Sequence, residues 1–208
     1  MKNFISLFFI VFAGIAISWF GLLVVGANSL SPSEEFETTM VVAGDDVIIT
    51  GHEGLAARGE QVYRALACAA CHTQQVRRPG YGGDFERAWG SRQSVARDYM
   101  LQDTVVLGTK RLGPDLTNVG ARHDAEWFFK HLYNPGSLSE VSNVPSYSFL
   151  FTEREMSDGN SSNSLKLEGN DIPEEGFEVV PTDDAVALVA YLQSLNLDYD
   201  LPESKRIK

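Results

Sequence analysis

Residues 4–26, FISLFFIVFAGIAISWFGLLVVG, form an unbroken run of 23 without one charged side chain. As a helix rising 1.5 Å per residue this run reaches about 34 Å, enough to cross a bilayer hydrocarbon core of about 30 Å. The ending Val25-Gly26-Ala27 resembles a signal-peptidase site, but the apolar region of a cleaved signal is only about 7–15 residues long. The expectation is therefore an uncleaved anchor over residues 1–27. Lys2 is the only charged side chain ahead of the span, and the positive-inside rule keeps that end in the cytoplasm. Residues 27–208 are then expected on the outer side, in the periplasm of a bacterial inner membrane.

The whole chain carries 17 basic and 28 acidic side chains, a formal net charge of −11. Such a surface repels phosphate, so nucleic acid is not an expected partner. Residues 27–71 hold 2 basic and 7 acidic side chains, residues 72–131 hold 9 and 7, and residues 132–208 hold 5 and 14. The uneven distribution reads either as ordinary solvated faces or as a device that orients the protein between an acidic and a basic surface.

Local patterns divide the exterior part. Residues 28–52 are rich in Ser, Glu and Thr, then turn β-like at Met40-Val41-Val42 and Val47-Ile48-Ile49 around the turn signal Gly44-Asp45-Asp46. This stretch reads as a tether with a small hairpin. Residues 53–67 place Leu55, Gly59, Val62, Tyr63 and Leu66 on one helical stripe. Residues 124–133 begin with acids and carry Trp127, Phe128, His131 and Leu132, the pattern of a second short helix. Thr182 is a plausible N-cap for a helix over 183–195, with Asp183 and Asp184 in its first turn and Ala185, Leu188, Val189, Leu192 and Leu195 on its apolar face. Nearly 50 residues rich in Ser, Asn, Gly and Pro separate the last two helices, and an irregular connection of that length is functional, mobile or both.

The two cysteines, Cys68 and Cys71, exclude a disulfide-dense scaffold. With Ala69, Ala70 and His72 they spell CxxCH, the attachment sequence for a c-type haem. Two thioethers hold the haem vinyl groups and the adjacent imidazole takes the iron as proximal ligand. A zinc site would need a second Cys or His pair at matching spacing, and a thioredoxin-like motif a βαβ setting. Gly113-Pro114-Asp115-Leu116 follows about 40 residues later, where the Pro114 carbonyl can accept the Nδ1 hydrogen of His72 and fix its tautomer. The chemistry expected is one covalent haem c.

These residues carry a resemblance. Gly59 to Gln74 (GxxVYxxxACxxCHTQ), Arg77-Arg78-Pro79-Gly80-Tyr81-Gly82, Leu107 to Leu116 (LGTKRLGPDL) and Val119-Gly120-Ala121-Arg122 resemble the monohaem subunit, subunit II, of cbb3-type cytochrome c oxidases. His131 to Pro135 and Leu188 to Leu192 extend the likeness over nearly the whole chain. It implies an all-α architecture: one N-terminal transmembrane helix, then a class I cytochrome c domain with long loops. The implied divisions are 1–27 anchor, 28–52 tether with hairpin, 53–200 cytochrome c domain and 201–208 tail. The implied role is a non-catalytic electron-transfer subunit, fed by a dihaem or other cytochrome c donor and passing electrons to a haem–copper catalytic subunit. Two rival readings are the cytochrome subunit of a nitric oxide reductase and a gas-binding haem protein with an open distal site.

The sequence departs from the family at one position. The family places its distal Met in a segment of the form SNMP, whereas Ser142-Asn143-Val144-Pro145 has Val144 there. Met156, on the connection before the last helix, is the candidate distal ligand. A vacant or water-bound site and a His such as His123 stay open beside it. His131 reads as a structural hydrogen-bonding residue, and Met100 as core filler. Arg111 and Arg122 could hydrogen-bond haem propionates or stand as solvated surface charges.

Overall fold

The structure, a computed structural model, describes residues 2–25, 39–41, 48–102, 104–156, 159 and 161–207. The chain divides into two compact units, Met1–Glu37 and Thr38–Lys208. It is mostly helical, with two small two-stranded sheets.

In the first unit, helix α1 covers Lys2–Trp19 and continues as a π-helical turn over Phe20–Val25. Phe4–Val25 is a helical stretch of 22 residues, long and apolar enough to cross a membrane. Its large side chains stand exposed, with Phe8 at 60% and Leu22 at 77%. Such a surface is costly in water and neutral in lipid. Phe8 and Phe12, one turn apart, stack with ring centroids 6.3 Å apart.

The second unit opens with strands β1 (Thr39–Val41) and β2 (Ile48–Thr50), antiparallel in the register Thr39↔Thr50, Met40↔Ile49, Val41↔Ile48. This is the hairpin expected between residues 40 and 49; its turn signal Gly44-Asp45-Asp46 lies outside the described residues. Helix α2 covers Gly54–Ala65, α3 Ala125–Tyr133, α4 the single turn Pro135–Leu138, and α5 Asp183–Ser194. The three helices expected from periodicity are therefore present, each within two residues of its expected ends.

Their caps explain the boundaries. Asp124 accepts the amide of Trp127 at 2.8 Å at the start of α3. Thr182 accepts the amide of Ala185 at 3.3 Å at the start of α5, where Asp183 and Asp184 complement the helix dipole.

Helix α5 is the pillar of the core. Ala185, Ala187, Leu188, Val189, Tyr191 and Leu192 are buried along it. Each large apolar side chain so buried contributes about 1.5–3 kcal/mol. Helix α2 crosses it closely, because Gly59 lies against the Ala187 carbonyl and Tyr63 packs its ring 5.2 Å from that of Tyr191.

The expectation of an all-α domain is corrected by a second hairpin. Strands β3 (Phe151–Glu155) and β4 (Phe177–Pro181) pair antiparallel from Phe151↔Pro181 to Glu155↔Phe177, inside the connection read as irregular. Val179 and Val180 are buried there, and the buried Glu178 accepts from Arg154 at 2.9 Å and from the Ser161 amide at 2.7 Å. The Leu165 amide reaches the Val179 carbonyl at 2.8 Å, which brings the connecting loop back onto the core. β-branched residues at Val179-Val180 were the available signal, diluted by the acidic residues around them.

Among the described residues of 73–122 there is no α-helix, and buried charge clamps the stretch instead. Arg92, 3% exposed, forms a two-pronged pair with Asp98 at 2.6 and 3.0 Å and donates to the Tyr199 carbonyl. The chain end is bound too, since Leu201 is fully buried and the Ile207 amide meets the Ser91 carbonyl at 2.6 Å.

Gly59→Ala tests the α2–α5 crossing. Ala gains about 1 kcal/mol of helix propensity, but its Cβ would stand 1.9 Å from the Ala187 carbonyl oxygen. Overpacking of this kind costs about 1–3 kcal/mol. The expected net effect is a lower thermal midpoint, read by circular dichroism, rather than the rise that propensity alone predicts.

Candidate functional site

Helix α2 ends at Leu66, and Ala67 turns the chain through the left-handed region at φ +55°. A 3-10 turn follows over Cys68–Ala70. The amides of Cys71 and His72 both bond back to the Cys68 carbonyl, at 3.1 and 3.0 Å. Two thiols and one imidazole thus project from a single tight turn. Cys68 is half-buried, Cys71 exposed, and both are free. Burial pushes the Cys68 thiol up to about 11, against a hydrogen bond from Tyr147.

The loop 107–116 runs beside this turn as a second layer. Its amides at Thr109, Gly113 and Leu116 bond to the carbonyls of Ala69, Cys71 and Thr73, at 2.9, 3.1 and 2.8 Å. The pairing brings the Pro114 carbonyl oxygen 2.8 Å from Nδ1 of His72. With Nδ1–H donating there, Nε2 keeps its lone pair for a metal. A side chain at Gly113 would put Cβ 2.2 Å from Cε1 of His72, so only glycine allows the loop this close.

Asp115, fully buried, accepts from Thr73 Oγ1 at 2.6 Å and from the amides of Gln75 and Thr117 at 2.8 and 2.9 Å. Arg111 is a clasp. Its guanidinium pairs with both oxygens of Asp84 and donates to the Gln75 carbonyl and Thr73 Oγ1. Arg111 is thus engaged by the protein rather than standing as a solvated surface charge.

Arg122 is different. It donates to the Asp115 carbonyl at 2.7 Å, while its Nε is buried without a partner. Burial holds its pKa below the ordinary arginine value, with Asp115 opposing.

Helix α3 supplies an aromatic column. The His123 and Trp127 rings stack at 3.5 Å, and Trp127 and His131 at 4.6 Å. His131 has a buried Nδ1 with no partner. Burial first, then the neighbouring His72 and His123 rings, holds it below the usual imidazole range. From α3 the chain returns as a strap, with Ser146 Oγ donating to the Tyr133 carbonyl at 2.6 Å and the Tyr147 amide to the Leu132 carbonyl at 2.8 Å. The Tyr147 side chain then reaches Cys68.

Val144 lies at the head of this strap. Tyr147 was not singled out in the sequence, where nothing marks it beyond its aromatic character.

Met156 follows strand β3 directly. Phe151, at the near end of β3, packs edge-on against Phe129 and Tyr133 of α3. Those two positions lie about 200° around the helix from His131. The Met156 amide bonds to the Gly176 carbonyl at the other end of the hairpin, roughly 16 Å further along the strand. Met156 thus stands at the opposite end of the hairpin from the Phe151 contact with α3.

The residues present fit a covalently held haem. Two thiols and an imidazole with a fixed tautomer share one turn, and Arg122 and His131 bring orphaned polar atoms to the same region. Leu107 and Leu112 of the adjoining loop are 39% and 72% exposed, apolar surface that a macrocycle would cover. Among the described residues, no group of three or more His, Cys, Asp and Glu is arranged to hold a metal ion.

Removing Asp84 should test the clasp. It is 1% exposed and also accepts the Arg77 amide at 2.7 Å. Asp84→Ala leaves Arg111 only the more distant Asp115 carboxylate at 3.5 Å and strands the Arg77 amide, a loss of about 1–3 kcal/mol. Urea unfolding should show the midpoint moving accordingly.

Comparison with known proteins returns a family model described as cytochrome c oxidase, mono-heme subunit/FixO, which matches residues 6–173. No curated protein matches the chain.

Proposed function

This chain belongs to the family of cytochrome c oxidase mono-haem subunits, and on that premise we propose that it is a membrane-anchored class I cytochrome c that relays electrons to a haem–copper catalytic subunit. In this reading Cys68 and Cys71 would hold the haem as thioethers, and His72 would ligate its iron, with Nε2 the nitrogen left free. When bound, the haem supplies a one-electron couple whose potential depends on ligation, burial and hydrogen bonding.

The protein's own residues set those conditions. The Pro114 carbonyl holds the His72 ring in one tautomer and one orientation. Arg122 offers a buried Nε without a partner to a propionate. Asp115, Arg111 and Asp84 keep the supporting loop stiff, which keeps reorganisation small. The observation that carries the reading is the His72 to Pro114 contact on the CxxCH turn.

The apolar helix anchors the chain in a bacterial inner membrane, Lys2 inside and the domain in the periplasm. The donor is a dihaem or other cytochrome c. Acidic flanks steer a basic donor, an attraction that salt screens.

A denaturing gel stained for haem should show one band at the chain mass of 22.9 kDa, lost in Cys71→Ala. Oxygen consumption driven by a reduced cytochrome should vanish in His72→Ala, while assembled complex retains the metals of its catalytic subunit. Undiminished turnover in that variant would overturn the relay.

Orientation has a separate measurement. Protease added to spheroplasts should digest residues 27–208, and protection there with cleavage only in inverted vesicles would contradict a periplasmic domain.

A further inference from the structure

In a chain with 28 acidic side chains an arginine meets a carboxylate easily. Among the described residues, seven of the eleven arginines stand in ion pairs. Arg122, at the site already described, does not. The other three, Arg77, Arg78 and Arg87, share one loop.

That loop is built to hold them. Its ends are drawn together where the buried Asp84 carboxylate accepts the Arg77 amide at 2.7 Å, and the Tyr81 amide closes a turn on the Arg78 carbonyl at 3.1 Å. Gly80, Gly82 and Gly83 bend it through the left-handed region, at φ +75°, +92° and +70°, which glycine enters without strain. Arg78 lies over the Tyr81 ring at 5.3 Å, and Arg87 lies over Trp89 at 5.0 Å and donates to the Gly82 carbonyl at 3.1 Å. A guanidinium already held over an aromatic ring has little freedom left to lose when a carboxylate arrives.

Arg111 fastens the loop to the CxxCH turn. Its guanidinium takes both oxygens of Asp84, while its Nε donates to Thr73 Oγ1 at 2.9 Å, on the residue next to His72. Lys110 precedes it, exposed and in no ion pair among the described residues. Segments 77–90 and 107–116 together carry five cations and three carboxylates, but Asp84 and Asp115 are buried, so Glu86 is the one acid they leave at the surface. Tyr81 stands 59% exposed among these cations. Arg and Tyr are the side chains on which protein interfaces depend most, whereas a lipid surface attracts cations whatever their orientation.

We propose that the loop 77–90, with Lys110 beside it, is the face on which another chain of the oxidase docks, through carboxylates that pair with Arg78 and Arg87. The inference rests on the oxidase reading above and adds the face of contact. Acidic flanks meet a basic donor; this basic face holds an acidic resident neighbour, beside the turn that carries His72.

The test uses the oxidase complex purified from membranes in mild detergent. The probe is a water-soluble carbodiimide, which joins an amine to a carboxylate without a spacer. A chain that purifies with no other subunit overturns the oxidase reading and this one together. In the complex, Lys110 should become linked to an Asp or Glu of another chain, located by mass spectrometry of the peptides. Arg78→Lys should add a second link of the same kind.

Arg78→Glu leaves the Asp84–Arg111 clasp intact and should lower the Lys110 yield about tenfold, the factor for one lost charge-assisted contact. Lys110 left unlinked or linked only within its own chain, or a yield that Arg78→Glu does not change, overturns this face while the oxidase reading stands. A lipid occupant has a different signature. Acetylation of Lys110 in the isolated full-length chain should be equal in phosphatidylcholine vesicles and in vesicles that also contain phosphatidylglycerol; protection by phosphatidylglycerol overturns the protein partner.

Discussion

Everything in the second unit is referenced to the backbone of α5. A Cβ at Gly59 or Gly120 would stand 1.9 and 2.1 Å from the carbonyl oxygens of Ala187 and Gln193, so both glycines bring other chain segments into direct contact with the helix. The first fixes α2, from whose end the CxxCH turn hangs. The second fixes the far end of the loop that supports His72, and the Gly120 amide adds a bond of 3.0 Å to the Leu195 carbonyl. Gln74, two residues beyond His72, exchanges hydrogen bonds with the Tyr191 hydroxyl inside the core. A buried amide left without that partner would cost about 1–3 kcal/mol, which makes the arrangement specific as well as stable.

Charge does structural work here that composition hides. The basic middle third looks like a surface feature in a count of residues. Yet Arg92 and Arg111 are turned inward onto Asp98 and Asp84, where they hold together a stretch that has no α-helix among its described residues. Buried carboxylates that each gather backbone amides replace the regular hydrogen bonding that helices supply elsewhere. The steering surface is correspondingly smaller than the sequence count implies.

The same economy shapes the site. A two-layer clasp orients the His72 imidazole from one side, and a stacked helix with a short strap closes in from another. The family match places the chain in an oxidase. The departure at Val144 leaves hydrocarbon where the family carries a thioether in this strap.

Short-range chemistry was readable in advance. The span over residues 4–26, the three amphipathic helices, the CxxCH turn and the Pro114 loop all depend on spacing within a few residues or on a motif whose chemistry dictates its order. The second hairpin, the inward turn of Arg111 and the placement of Met156 were not readable. Each is set by partners far along the chain: Phe151 by Phe129 and Tyr133, Arg111 by Asp84, Met156 by a strand whose mate begins more than 20 residues later. A sequence reports which residues can pair or ligate. Which face of α3 a hairpin packs against is decided by side-chain complementarity in three dimensions, here by Phe151 against Phe129 and Tyr133.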